Sequence, residues 1–232
     1  MGRIKTHVFW TYVLVGINVW LGILLAKYSW NTNVLLAWGG MNAHMPQVQA
    51  LVQLPPFADM SQATLNKLPH FMYSPMSGTI LLIVRSIWAS FLHFSWAHLG
   101  SNMMVLFLMG RMFEESNYPG IIVPVYLFTG SVSMVSAFYF QSAALTAGAS
   151  GAIFGIMGAG YVLYLRSKPA FRKATIDTEA ANRYARLGNY VYSLIVLNII
   201  STFMTPGISI IGHIAGLVSG LLVGLIIPLK RH

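Results

Sequence analysis

The chain contains no cysteine, which removes disulfides, thiolate catalysis and cysteine-based metal sites together. Charge is nearly as scarce. Asp, Glu, Lys and Arg make up 8% of the residues, against about 25% in an ordinary soluble domain. A surface so poor in charge faces something other than water, and lipid is the natural candidate. Acids are the scarcer sign: the only ones are Asp59, Glu114, Glu115, Asp177 and Glu179. The formal net charge of +9 that results raises the question of nucleic acid, which the distribution of the charges answers.

What fills the chain instead is apolar: 56% hydrophobic residues and a mean hydropathy of +0.66. Six apolar stretches lie near 8–26, 90–110, 120–140, 150–166, 189–204 and 210–229. Spanning a bilayer as a helix takes about 20 apolar residues, and only the fourth and fifth stretches are short for it. Between the first and second runs an excursion, 27–89, with Pro55, Pro56, Pro69 and Pro75. Its mixed stretches "NVLLAWGGM" and "ILLIVRSIWASFL" predict short helices at the membrane interface rather than a seventh span. The opening "MGRIKTHVFW" has the basic start of a signal peptide, but the apolar run after it is too long and lacks a small-x-small cleavage site. "MGRIKT" also fits the myristoylation pattern. A retained first membrane helix is the simpler reading.

Six alternating spans from a cytoplasmic N-terminus leave only Lys27, Lys67 and Arg85, of the 14 Lys and Arg, on the outer side. The positive-inside rule selects that orientation, with both termini cytoplasmic. It also explains the basic balance without nucleic acid, and reads the charged stretch 166–186 as a solvated cytoplasmic loop.

Polar groups inside membrane segments are costly and mark function by default. The candidates are His93, His98 and Asn102 in the second stretch, Ser150 at the start of the fourth, and His213 near the start of the sixth. In this topology all fall toward the outer leaflet. A helix from Ser150 to Arg166 is about 24 Å long against a hydrocarbon core of about 30 Å. If Arg166 anchors its inner end, Ser150 is recessed and "AALTAGA" descends to it as irregular backbone. Such backbone requires burial in protein or contact with water, so a wet cavity open to the outer side is expected.

Gly151 and Gly155 form a GxxxG pattern, and Gly212, Gly216, Gly220 and Gly224 recur every four residues on the sixth helix. Small residues at that spacing let membrane helices approach backbone to backbone, which would bring His213 toward Ser150. A serine hydroxyl becomes a nucleophile when a neighbouring neutral histidine takes its proton. The tetrahedral intermediate then needs donors for its oxyanion. His98 and Asn102, at i and i+4, share a helix face, and unpaired amides open the fourth helix. No acid stands ready as a third member, so a Ser–His pair is the simplest inference. Read from the residues alone, a packing role for Ser150 stays open beside the nucleophile.

With "GASGAIFG" for the nucleophile helix, "GHIAGLVSG" for the base helix and "FLHFSWAHLGSNMMVLFLMGRMFEE" for the second helix, the chain resembles the rhomboid intramembrane serine proteases. The resemblance runs from about residue 8 to 229 and joins three motifs, GxSG, HxxxN and HxxG, in the family's order. It implies an all-α membrane protein: one rhomboid-like domain over 1–232, a six-transmembrane-helix bundle with a short, recessed fourth helix. It implies Ser150 as nucleophile and His213 as general base, with His98, Asn102 and the backbone amides of Ser150 and Ala149 around the oxyanion. Gly148 and Gly151 flank the serine, Gly216 is the small residue where the base helix meets the nucleophile helix, and Phe154 is placed to stack on the base. Arg111 and Glu114 match a structural GRxxE, and Arg85 falls where the family has a Trp-Arg pair, with Val84 in place of the tryptophan. "STFMTPGISII", 201–211, is expected to cap the cavity, with Met204 as a plug.

The implied activity is hydrolysis of peptide bonds in or near transmembrane segments of other proteins. No cofactor, metal or nucleic acid is expected; the partners are membrane-protein substrates and the bilayer, in the plasma membrane if the source is bacterial. Three rivals fit less well. A zinc protease lacks HExxH here. A channel or transporter would bring intramembrane charges or inverted repeats. A non-catalytic binder on the same fold would need neither Ser150 nor His213.

Overall fold

The computed structural model of the chain describes residues 8–41, 79–115, 120–141, 145–174, 178–205 and 207–229. In chain order its helices are α1 (Phe9–Ala26), α2 (Thr32–Ala37), α3 (Thr79–Ala89), α4 (Trp96–Glu115), α5 (Ile122–Phe140), α6 (Ser150–Ala174), α7 (Thr178–Met204) and α8 (Ile210–Ile226). No strand forms among the described residues; a single antiparallel bridge joins Met41 to Thr146. Pro55, Pro56, Pro69, Pro75 and Asp59 lie outside the described residues, so the excursion is seen only at its two ends, which carry α2 and α3.

Several helix starts follow from local chemistry that apolar periodicity does not register. The second stretch, read as helical from residue 90, is helical only from Trp96, because Ser95 caps it: its Oγ accepts the amide of His98 at 3.1 Å. Residues 90–92 instead close tight turns off the end of α3, with amides bonded to carbonyls three residues back. His93 therefore sits in the turn ahead of α4. Ser209 caps α8 in the same way, its Oγ accepting from the amide of Gly212 at 3.0 Å. The charged stretch 166–186, read as a loop, is mostly helix: α6 runs on to Ala174 and α7 begins at Thr178, with 175–177 outside the described residues. Alanine, arginine, lysine and glutamate there favour helix, and polarity alone does not argue against one.

The apolar part of α6 still ends at Arg166, as the charge pattern suggested. The Arg166 Nη1 donates to the carbonyls of Gly224 and Ile227, both at 2.7 Å, and so caps the last turn of α8. The opposite capping is done by Glu114. Its carboxylate accepts the amides of Trp10 and Thr11 at 3.0 Å each, and the Thr11 hydroxyl at 2.5 Å, satisfying orphan donors in the first turn of α1. Glu114 is thus structural. Arg85 is fully buried and donates to the carbonyls of Leu36 and Gly40, holding α3 to the end of α2.

The centre of the bundle is α6, with α8 and α5 packed closely on it and α4 and α7 beside it. The α6–α8 contact is made by glycine. A Cβ on Gly216 would run into the Gly151 backbone, one on Gly220 into the Gly155 backbone, and one on Gly224 into Val162 and Ala159. On α8 the buried residues are Gly212, His213, Gly216, Ser219, Gly220 and Gly224, while Ile214, Val218, Leu222 and Leu225 are exposed. A water-soluble helix would show the reverse; small residues inside and large apolar ones outside suit lipid. Two helices, Phe9–Ala26 and Ile122–Phe140, are long and apolar enough to cross a membrane, and Gly188–Met204 and Ile210–Ile226 are shorter apolar helices.

Candidate active site

Ser150 is the first residue of α6, and the backbone leading to it is irregular and buried from Thr146 to Ala149. Two backbone interactions hold this approach. Thr146 exchanges both its amide and its carbonyl with Met41, at 2.7 and 2.9 Å, and the Gly148 amide donates to Ala89 O at 3.0 Å. Gly148 has φ +128°, a conformation that favours glycine, and a Cβ there would stand 2.8 Å from the Cε1 of His98. Glycine is required twice over: for the turn, and to let the imidazole of His98 lie against it.

Across the α6–α8 seam, the Ser150 Oγ is 2.7 Å from the Nε2 of His213. His213 is 8% exposed. Phe154, one turn after the serine, stacks on the His213 ring at a centroid distance of 4.6 Å and an angle of 30°. The His213 Nδ1 lies 2.7 Å from the Thr202 Oγ1 on α7. Gly151, next to the serine, and Gly216, three residues after the histidine, are where the two backbones touch. Two residues on separate helices, 63 apart in sequence, are therefore in hydrogen-bond contact because no side chain stands between them.

On α4, His98 accepts the Phe94 amide at its Nδ1, at 3.5 Å. An amide can only donate, so this contact assigns the His98 proton to Nε2, the edge turned to Gly148. Asn102, one turn on, is 8% exposed, and its Nδ2 has no hydrogen-bond partner among the described residues. A buried amide donor left unmet costs about 1–3 kcal/mol, so Asn102 stands out among the polar groups of the bundle. The orphan amides at the start of α6, at Ser150 and Gly151, are further donors beside the serine hydroxyl. Ala149 is fully buried one residue before the helix.

His93, which precedes the helix, and His98 on it meet edge to face with centroids 5.0 Å apart. Met204 is 77% exposed, so it plugs nothing; α7 continues to that residue and shortens the expected cap. Pro206 lies outside the described residues, and Gly207, φ +80°, turns the chain toward α8. The inward residue of this region is Thr202, which sequence reading did not single out. A threonine in an apolar stretch carries no distinguishing signal.

The fold and this contact together define a helical membrane bundle holding a serine–histidine pair between two glycine-packed helices. A family model described as Rhomboid domain matches residues 82–230, and the chain belongs to the Rhomboid family. It is similar to "Rhomboid protease GluP" of Bacillus subtilis (strain 168), 31% identical over 127 residues, covering 55% of this chain and 22% of that protein. It is also similar to "Rhomboid-like protein 11, chloroplastic" of Arabidopsis thaliana, 39% identical over 69 residues, covering 29% of this chain and 25% of that protein. The matched stretches thus span about a quarter of each of these relatives.

Proposed function

We propose that the protein is an intramembrane serine endopeptidase that cuts peptide bonds in or near transmembrane segments of other membrane proteins. The observation that carries this reading is the 2.7 Å contact between the Ser150 Oγ and the His213 Nε2. Family membership and the name of the Bacillus relative support it. In this reading His213 Nε2 takes the proton as the Ser150 Oγ attacks the scissile carbonyl carbon. The oxyanion that forms is met by the His98 Nε2–H, the Asn102 Nδ2–H and the amides at the start of α6, with the Ala149 amide beside them. The protonated His213 then passes its proton to the leaving amine, and water, deprotonated by the same nitrogen, releases the acyl group from Ser150. Stacking on Phe154 holds the imidazole in plane while its charge changes.

The single rhomboid-like domain over 1–232 spans the membrane several times, with both termini cytoplasmic by the distribution of lysine and arginine, in the plasma membrane if bacterial. The water the reaction consumes reaches Ser150 through a cavity open to the outer side. Substrates must present an extended stretch of chain, since a helix hides its own scissile carbonyls.

The purified protein in detergent tests this with a fluorophosphonate probe. Labelling at Ser150, located by peptide mass spectrometry, is the expected result. A folded protein that stays unlabelled there refutes the nucleophile. For the oxyanion donors, Asn102→Ala is expected to lower turnover of a labelled transmembrane substrate by roughly 10²-fold or more, with KM little changed. An unaltered rate removes Asn102 from the site.

A further inference from the structure

We propose that Thr202, on α7, is a positioning residue that holds His213 in the one tautomer able to act as a base toward Ser150. The inference rests on the reading of Ser150 and His213 as nucleophile and base, and it adds a third helix to the site.

Donor counting carries it. The Thr202 Oγ1 lies 2.8 Å from the carbonyl oxygen of Asn198 and 2.7 Å from the Nδ1 of His213. A carbonyl can only accept, so the first contact uses the single hydroxyl proton of Thr202. The second then requires a proton on Nδ1, donated to the threonine oxygen. With Nδ1 protonated, the neutral imidazole has its lone pair on Nε2, 2.7 Å from the Ser150 Oγ. The opposite tautomer would set two acceptors, Oγ1 and the Asn198 carbonyl, face to face, or turn the threonine away from its carbonyl. It would also aim an N–H at the serine, leaving His213 a donor where a base is needed.

Among the described residues, no other group competes with Thr202 for this role. Thr202 is 5% exposed, so water does not readily replace its hydroxyl. The ring faces of His213 are taken on one side by Phe154. Glu114, the acid whose contacts are described, caps α1 instead. The Asn198 side chain is engaged too, its Nδ2 donating to Leu194 O at 2.8 Å. A neutral hydroxyl, backed by a helix carbonyl, thus stands where a carboxylate would orient the base in a three-membered arrangement. Because α7 packs chiefly on α6 and only sparsely on α8, this hydrogen bond is a specific link from α7 to the base helix.

Two readouts test the proposal. With histidine-selective ¹⁵N labelling at about pH 8, where imidazole is neutral, two-bond couplings distinguish the two tautomers, and a His213→Gln spectrum identifies the relevant signals. The wild-type protein is expected to carry the His213 proton on Nδ1, Thr202→Ser to keep it there, and Thr202→Val to show a mixture. In turnover, Thr202→Val is expected to lose about 10- to 100-fold in kcat, the scale of one hydrogen bond to a group that becomes charged, with KM within about twofold. Thr202→Ser is expected to recover most of that rate. A wild-type His213 protonated on Nε2, or a folded Thr202→Val with wild-type kcat, overturns the proposal. If Thr202→Val does not fold, the wild-type tautomer and the Thr202→Ser rate decide. If Ser150 fails to react with fluorophosphonate, the peptidase reading falls while the tautomer measurement still reports on Thr202.

Discussion

Replacing Ser150 by alanine is expected to leave a folded protein whose turnover of a labelled transmembrane substrate falls by roughly 10⁴- to 10⁶-fold. The hydroxyl supplies the attacking atom, and among the described residues it is the side-chain partner of the His213 Nε2. His213→Ala is expected to fall as far, since an unactivated serine is a poor nucleophile. The informative variant is the double one. Groups that act as a unit are lost together, so Ser150→Ala with His213→Ala should be no slower than either alone. Multiplicative losses would mean two independent contributions and would contradict a shared proton. Thermal unfolding in the same detergent should barely change for Ser150→Ala, because one partly exposed hydroxyl is removed and no cavity of note is made.

The second large effect concerns the seam that brings the pair together. Gly216→Val is expected to destabilise the fold by about 3 kcal/mol, at or beyond the upper end for an overpacked core. A Cβ at Gly216 would overlap the carbonyl of Gly151, and backbone in the middle of two helices cannot yield as a flexible side chain can. Whatever separation relieves the clash also separates Ser150 from His213. A misplacement of about 1 Å costs roughly 10²-fold in rate, so turnover is expected to fall at least that far even in the folded fraction. Gly16→Ala, on α1, is the control, since nothing lies within 4 Å of a Cβ there. It should leave turnover unchanged and raise stability by about 0.5–1 kcal/mol, the helix preference of alanine over glycine. Equal behaviour of the two variants, by thermal unfolding and turnover, would mean that the glycine seam does not set the geometry.

Much of the site was legible because its residues violate their setting. Ser150, His98, Asn102 and His213 are polar groups in apolar stretches, and the glycines beside Ser150 and His213 recur at helical spacing. Periodicity and composition suffice to find such exceptions. Helix ends were less legible. The start of α4 at Trp96 depends on one serine cap, and the helical stretch beyond Arg166 on the propensity of a charged segment that polarity alone reads as loop. Thr202 was not legible at all. Threonine is unremarkable in an apolar helix, and its meaning lies in what it faces.

The amino-acid order by itself determined the class of molecule, the inside-out character of its helices and which hydroxyl and which imidazole stand apart from their neighbours, since each is a matter of composition and spacing along the chain. Only the packing of α6, α7 and α8 decided that these groups meet, through which ring nitrogen, and that a third side chain governs the proton on the other. Hydrogen bonds act over about 3 Å between atoms. Residues 63 and 11 positions apart in sequence come within that reach only when whole helices have been set against one another.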